Sequence, residues 1–174
     1  MRELTTPERV ERFMQELGRA VRNPVRVYFT GGVTAILHGW RDATIDIDLK
    51  AVPESDEVLR AVSRLKEKLS VNVELAAPDQ FIPEVPGWQE RSLFIGSEGP
   101  ASFFHYDLYS QALSKIERGH SQDVGDVRRA LADGLVDRAM LRTLFDRIEP
   151  ELFRYPAIDP KAFRRGLEDM LGSD

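Results

Sequence analysis

Phe29-Thr30-Gly31-Gly32 and, after thirteen intervening residues, Asp46-Ile47-Asp48-Leu49 are the two runs on which the reading of this 174-residue chain turns. Ahead of the first, Val25, Val27 and Phe29 alternate with Arg26 and Tyr28, the period of a strand; behind it, Val33 to His38 runs at helical spacing. The pattern is strand, glycine turn, helix. Such a turn brings backbone amides to an anion without interference from Cβ atoms. Around the second run, Thr44 to Lys50 alternates again. Ile45, Ile47 and Leu49 are expected on the core face, with Thr44, Asp46, Asp48 and Lys50 on the other.

Two residues apart on one strand face, Asp46 and Asp48 have Cα atoms about 6.6 Å apart and carboxylates that project the same way. Aspartate is depleted in strands and adjacent like charges repel, so the pair costs stability unless something positive sits between them. A Mg²⁺ ion, which binds carboxylates together with substrate phosphates, meets that need, and Mn²⁺ is an alternative. Taken singly, an Asp-x-Asp also reads as the solvent face of an edge strand, and a Gly-Gly as a tight turn. A third acid changes the balance. In the next predicted strand Val71, Val73 and Leu75 face inward and Asn72 and Glu74 outward, so Glu74 approaches the aspartates if the strands are neighbours. Three carboxylates on adjacent strands suit metal-assisted phosphoryl chemistry. The glycine turn lacks both the Gly-Lys-Ser/Thr ending of a P-loop and a three-glycine dinucleotide fingerprint.

The remaining chain reads as scaffold. Thr6-Pro7-Glu8 starts a helix whose apolar stripe is Val10, Phe13, Met14, Leu17 and Val21, and Ser55 caps another through about Leu69. Residues 78–88, rich in proline, form an ordered excursion pinned by Phe81, Ile82 and Trp88. Strands follow at Ser92 to Ile95 and Ala101 to Tyr106, with Gly96 to Pro100 between them. Helices follow over 107–118, 121–132 and 137–148, and a last one opens at Asp159-Pro160. The expectation is an α/β (α+β) fold in a single domain over 1–174, with a mixed-sheet core at 24–107 and a helical cap at 108–174. Without cysteine, disulfides, thiolate metal sites and a cysteine nucleophile are excluded. A net charge of -5 argues against a bulk nucleic-acid coat and leaves room for a local basic groove. No stretch reaches the roughly 20 apolar residues of a membrane span, and residues 1–11 lack the apolar run of a signal peptide, so a cytoplasmic location away from membranes is expected.

The Gly-Gly turn, the Asp-Ile-Asp strand and the later Val73-Glu74-Leu75 together resemble the signature of the nucleotidyltransferase superfamily. The run Arg41 to Leu49 resembles the small bacterial nucleotidyltransferase-like proteins of the AbiEii and MenT toxin type. That resemblance implies a polymerase-β-like core. It implies nucleotide binding by Thr30, Gly31, Gly32, Arg41, Thr44 and Lys115, and a metal held by Asp46, Asp48 and Glu74. Catalytic roles would fall to Asp46, Asp48, Glu74, Lys115 and Asp126, with Lys115 neutralising the triphosphate and Asp126 positioning the acceptor. The implied reaction moves a nucleoside monophosphate from an NTP to an acceptor, such as RNA or tRNA in a toxin-antitoxin system with a protein antitoxin. Gly32 departs from the serine that many superfamily members carry. Two other readings share the fold: a non-catalytic protein binding nucleotide or a protein partner, and an aminoglycoside-type small-molecule transferase. Asp123, Lys115 and Arg118 also suit helix-dipole roles. His38, His105, His120, Trp40, Trp88, Tyr106 and Tyr109 are read as structural.

Overall fold

A computed structural model describes residues 2–172 of the chain. They fold into two compact units, one gathering the chain through Ala77 with Ser92–Tyr106, the other Pro78–Arg91 with the chain from Asp107 onward.

In the first unit, helix α1 (Pro7–Ala20) starts where the sequence signals it, with the Thr6 side chain accepting a hydrogen bond from the Arg9 amide and Pro7 in the first turn. Strand β1 (Val25–Thr30), helix α2 (Gly32–Leu37), strand β2 (Asp46–Val52), helix α3 (Asp56–Lys68) and strand β3 (Asn72–Glu74) follow, and the hairpin β4 (Leu93–Glu98) and β5 (Ala101–His105) completes the unit. The sheet order is β3-β2-β1-β5-β4. Strand β1 runs antiparallel to β2 and parallel to β5, while β2 runs parallel to β3, so the sheet is mixed. Its core face carries Val27, Phe29, Ile47, Leu49, Val73 and Phe103; the helices bury Val10, Phe13 and Leu17 from α1 and Val58, Val62 and Leu65 from α3 in the same cluster. Each such side chain contributes about 1.5–3 kcal/mol on leaving water. Period-two burial along β2 therefore turns Asp46 and Asp48 away from the core.

The second unit begins with a short 3-10 turn (Pro78–Gln80) and helix α4 (Trp88–Arg91). Helices α5 (Leu108–Arg118), α6 (Ser121–Ala132), α7 (Arg138–Ile148) and α8 (Pro160–Leu171) follow. Asp107, fully buried, caps α5 by accepting from the amides of Tyr109 and Ser110, and Arg91 donates to both of its carboxylate oxygens at 3.1 and 2.8 Å. Asp137 and Asp159 cap α7 and α8 in the same way.

Three inward assignments from the sequence are corrected. Ile45 is 69% exposed, because β2 begins only at Asp46 and residue 44 instead bridges Thr5. Leu75 lies past the end of the three-residue β3 and is partly exposed. Phe81 is exposed, so the 78–88 excursion is held by Ile82 and Trp88. The turn between the last two strands is also shorter than expected, since β4 continues to Glu98.

Candidate functional site

Register aligns the polar face of the sheet. Thr30 on β1 stands opposite Asp48 on β2, which stands opposite Glu74 on β3; one step earlier Asp46 stands opposite Asn72. Cross-strand partners share a face, so Asp46, Asp48, Asn72 and Glu74 form a two-by-two array with three carboxylates and one amide. One oxygen from each of Asp46, Asp48 and Glu74 lies within 4.8 Å of the others. The aspartates are half-buried and Glu74 is exposed. Three hard oxygen donors converging from two strands match a divalent cation that keeps further positions for water or phosphate. The residues thus fit a metal of the Mg²⁺ class, which Asp46, Asp48 and Glu74 would hold.

Asn72 ties this array together. Its Nδ2 donates to Asp46 Oδ1 and to Glu74 Oε1, the latter at 3.2 Å, and its Oδ1 accepts from the guanidinium of Arg2. Arg2 also pairs with Glu67 at 3.4 Å. In the sequence Asn72 reads only as a residue of the polar face. Its position two residues before Glu74 was the available signal.

The glycine turn meets the acids directly. Gly31 has φ 60° and ψ -126°, a conformation open to glycine, and a Cβ there would lie 3.1 Å from Asp48 Oδ2. At Gly32 a Cβ would fall 1.9 Å from Thr44 Oγ1 and 2.6 Å from Thr44 Cβ, so the threonine side chain fills the space a residue-32 side chain would need. Here lies the physical reason for the departure at Gly32. Thr44 is fixed by paired backbone hydrogen bonds with Thr5, at 2.7 and 2.9 Å. The structure therefore gathers Gly31, Gly32, Thr44, Asp46, Asp48 and Glu74 in one neighbourhood. Thr30 is buried and donates its hydroxyl to the Ala76 carbonyl at 3.3 Å, which ties the end of β1 to the chain just beyond β3. Arg41 is half-buried in the segment between α2 and β2.

Lys115 and Asp126 belong to the second unit, where they form an ion pair with each other across α5 and α6. One turn away Arg118 pairs with Asp123 at 3.0 Å. Both aspartates are buried, so Asp123 is more than a dipole partner at the start of α6. His38 stacks between Trp40 and His105 at ring-centroid distances of 5.0 and 4.5 Å, and His105 Nδ1 lies 3.0 Å from Thr34 Oγ1. Burial first, and the facing His38 second, push the His105 pKa down to about 3, so the ring is neutral near pH 7.

A mixed five-stranded sheet with a Gly-Gly turn at the tip of β1 and three carboxylates on β2 and β3 beside it defines a nucleotidyltransferase-like core. A family model described as a nucleotidyltransferase of unknown function (DUF6036) matches residues 8–159, and the chain belongs to that family. No curated protein and no solved structure gives a significant match. Among the described residues, no helix is long and apolar enough to cross a membrane.

Proposed function

We propose that the chain catalyses Mg²⁺-dependent nucleotidyl transfer, with Mn²⁺ able to replace Mg²⁺. An acceptor hydroxyl attacks the α-phosphorus of an NTP, a new phosphodiester or phosphoester bond forms, the bond to the β-phosphate oxygen breaks, pyrophosphate leaves, and the hydroxyl proton passes to solvent or a base. The observation that carries this reading is the convergence of Asp46, Asp48 and Glu74 within 4.8 Å beside the Gly31-Gly32 turn. A cation bound there would supply charge neutralisation for the triphosphate. The protein contributes a strand pair that fixes the carboxylates, and at Gly31 a turn without a Cβ that lets phosphate oxygens come close beside Asp48. The acceptor in this reading is an RNA such as tRNA, as in toxin-type members of the superfamily with a protein antitoxin. The roles that the resemblance gives Lys115 and Asp126 rest on the resemblance; in the structure the two residues bind each other.

The test is incubation with each labelled NTP, Mg²⁺ and total RNA. Label transfer that Asp48→Ala abolishes supports the proposal. Tight NTP binding without turnover would assign the chain to the non-catalytic alternative. If Asp46→Asn with Asp48→Asn left metal-dependent NTP binding by the folded protein unchanged, the site itself would be misplaced.

A further inference from the structure

Among the four side chains of the β2-β3 array, Asn72 is the one that donates. Chemistry fixes its orientation. A guanidinium only donates, so the oxygen of the Asn72 side chain must face Arg2; carboxylates at neutral pH only accept, so its NH₂ must face Asp46 and Glu74. Turning the amide over would set NH₂ against guanidinium and oxygen against two carboxylates. The amide is locked, and it spends its donors on two of the three carboxylates that converge.

We propose that Asn72, oriented by Arg2, is a positioning residue that tunes cation affinity at this site, an inference that rests on the metal-site reading above. The NH₂ group partly satisfies the charge of Asp46 and Glu74 in the cation-free protein and holds their oxygens in place. A cation that takes those oxygens must compete with hydrogen bonds to charged acceptors, which are among the stronger ones. The locked orientation also keeps the amide oxygen from serving as a fourth ligand. The site is thereby held to three protein donors and left dependent on phosphate or water for the rest, so an NTP completes the coordination that the bare protein leaves weak. Arg2 acts through Asn72, and its effect is lost once the amide is gone.

The experiment titrates the full chain with Mn²⁺ alone, following free Mn²⁺ by electron paramagnetic resonance. The chains compared are wild type, Asn72→Ala, Arg2→Ala, the Arg2→Ala with Asn72→Ala double variant, and Asp48→Asn. Asn72→Ala is expected to bind Mn²⁺ about tenfold more tightly than wild type, equivalent to about 1.4 kcal/mol. Arg2→Ala is expected to tighten binding as well, because its amide is free to turn its oxygen to the cation. The double variant should match Asn72→Ala alone. An Arg2 effect that persists unchanged in the Asn72→Ala background would mean that the arginine acts as a bare charge, and would overturn the relay. Weaker or equal binding by Asn72→Ala, with wild type binding and Asp48→Asn not, would overturn the proposal while leaving the metal site intact. Absence of Asp48-dependent Mn²⁺ binding in every variant would overturn the metal site and this inference with it.

Discussion

Gly32→Ala sets two effects of opposite sign against each other. In a helix, alanine is favoured over glycine by up to about 1 kcal/mol, so a site with room should gain stability. Here the added methyl would sit 1.9 Å from Thr44 Oγ1, 2.6 Å from its Cβ and 3.1 Å from its Cγ2. Rotating the threonine moves Oγ1 and Cγ2 but leaves the Cβ contact. Backbone retreat is opposed by the two hydrogen bonds to Thr5. Overpacking of this kind costs about 1–3 kcal/mol, which outweighs the helix preference. For a chain of this length, each kcal/mol lowers the midpoint by about 2–4 °C. Thermal unfolding followed by circular dichroism, with near-ultraviolet signals to report the first unit, should show the loss. A double-mutant cycle locates its origin. Thr44→Ala should relieve Gly32→Ala only in part, because the Cβ-Cβ clash remains; Thr44→Gly should remove the penalty altogether. A Gly32→Ala protein as stable as wild type, or a penalty indifferent to residue 44, would refute the reasoning.

Further outcomes concern buried charge. His105 titrates near 3 in the folded protein against an ordinary value of 6.5. Between those limits the unfolded chain binds the proton and the folded chain does not, so stability is full above pH 6.5 and falls by about 1.4 kcal/mol per unit as pH drops. From pH 6.5 to 5 the loss is about 2 kcal/mol. Glu16 and Glu57, whose pKa values lie below an ordinary 4.5 through bonding to Lys68 and to the Arg22 amide, add their losses only at lower pH. Urea unfolding at pH 7, 6 and 5 should show the slope in wild type and a flatter one in His105→Gln; equal slopes would sink the assignment. In the second unit, Lys115→Met removes the cation paired with the buried Asp126 and should cost about 3–5 kcal/mol, whereas Lys115→Met with Asp126→Leu should recover much of it. With Asp126→Leu alone completing the cycle, single losses that simply add in the double variant, measured by urea unfolding, would show that the pair carries no coupling.

Much of the sheet was legible because strand periodicity is local. Alternation placed Asp46, Asp48 and Glu74 on one face, and the proline and hydroxyl caps placed α1 and α3. The misplaced residues lie where a strand ends. Ile45 and Leu75 continue the alternation in sequence, yet the strand bonds stop at Asp46 and Glu74, and a period without a ladder does not bury a side chain. Gly32 could be read only as a departure from the familiar serine, since its reason is a threonine twelve residues later that reaches back into the turn. Asn72 was visible as polar, but its role depends on Arg2, seventy residues away in sequence. The buried pair of Lys115 and Asp126 was equally hidden: helix-end charges look alike in sequence whether they face solvent or each other.

The two margins of the sheet differ in a way that bears on handling the protein. At one margin β3 is only three residues long and displays Asn72 and Glu74, with Asp46 and Asp48 behind them. Short length and charge are what discourage another chain from adding itself to an open strand. At the other, β4 spans six residues, exposes Leu93 and Phe94, and relies on the irregular register between Phe94 and Gly96 to bend it out of line. Substitutions that neutralise the acids, the natural tools for probing chemistry, therefore also strip the guard from the better protected margin. Inactive variants should be checked for self-association by light scattering before lost activity is ascribed to lost chemistry.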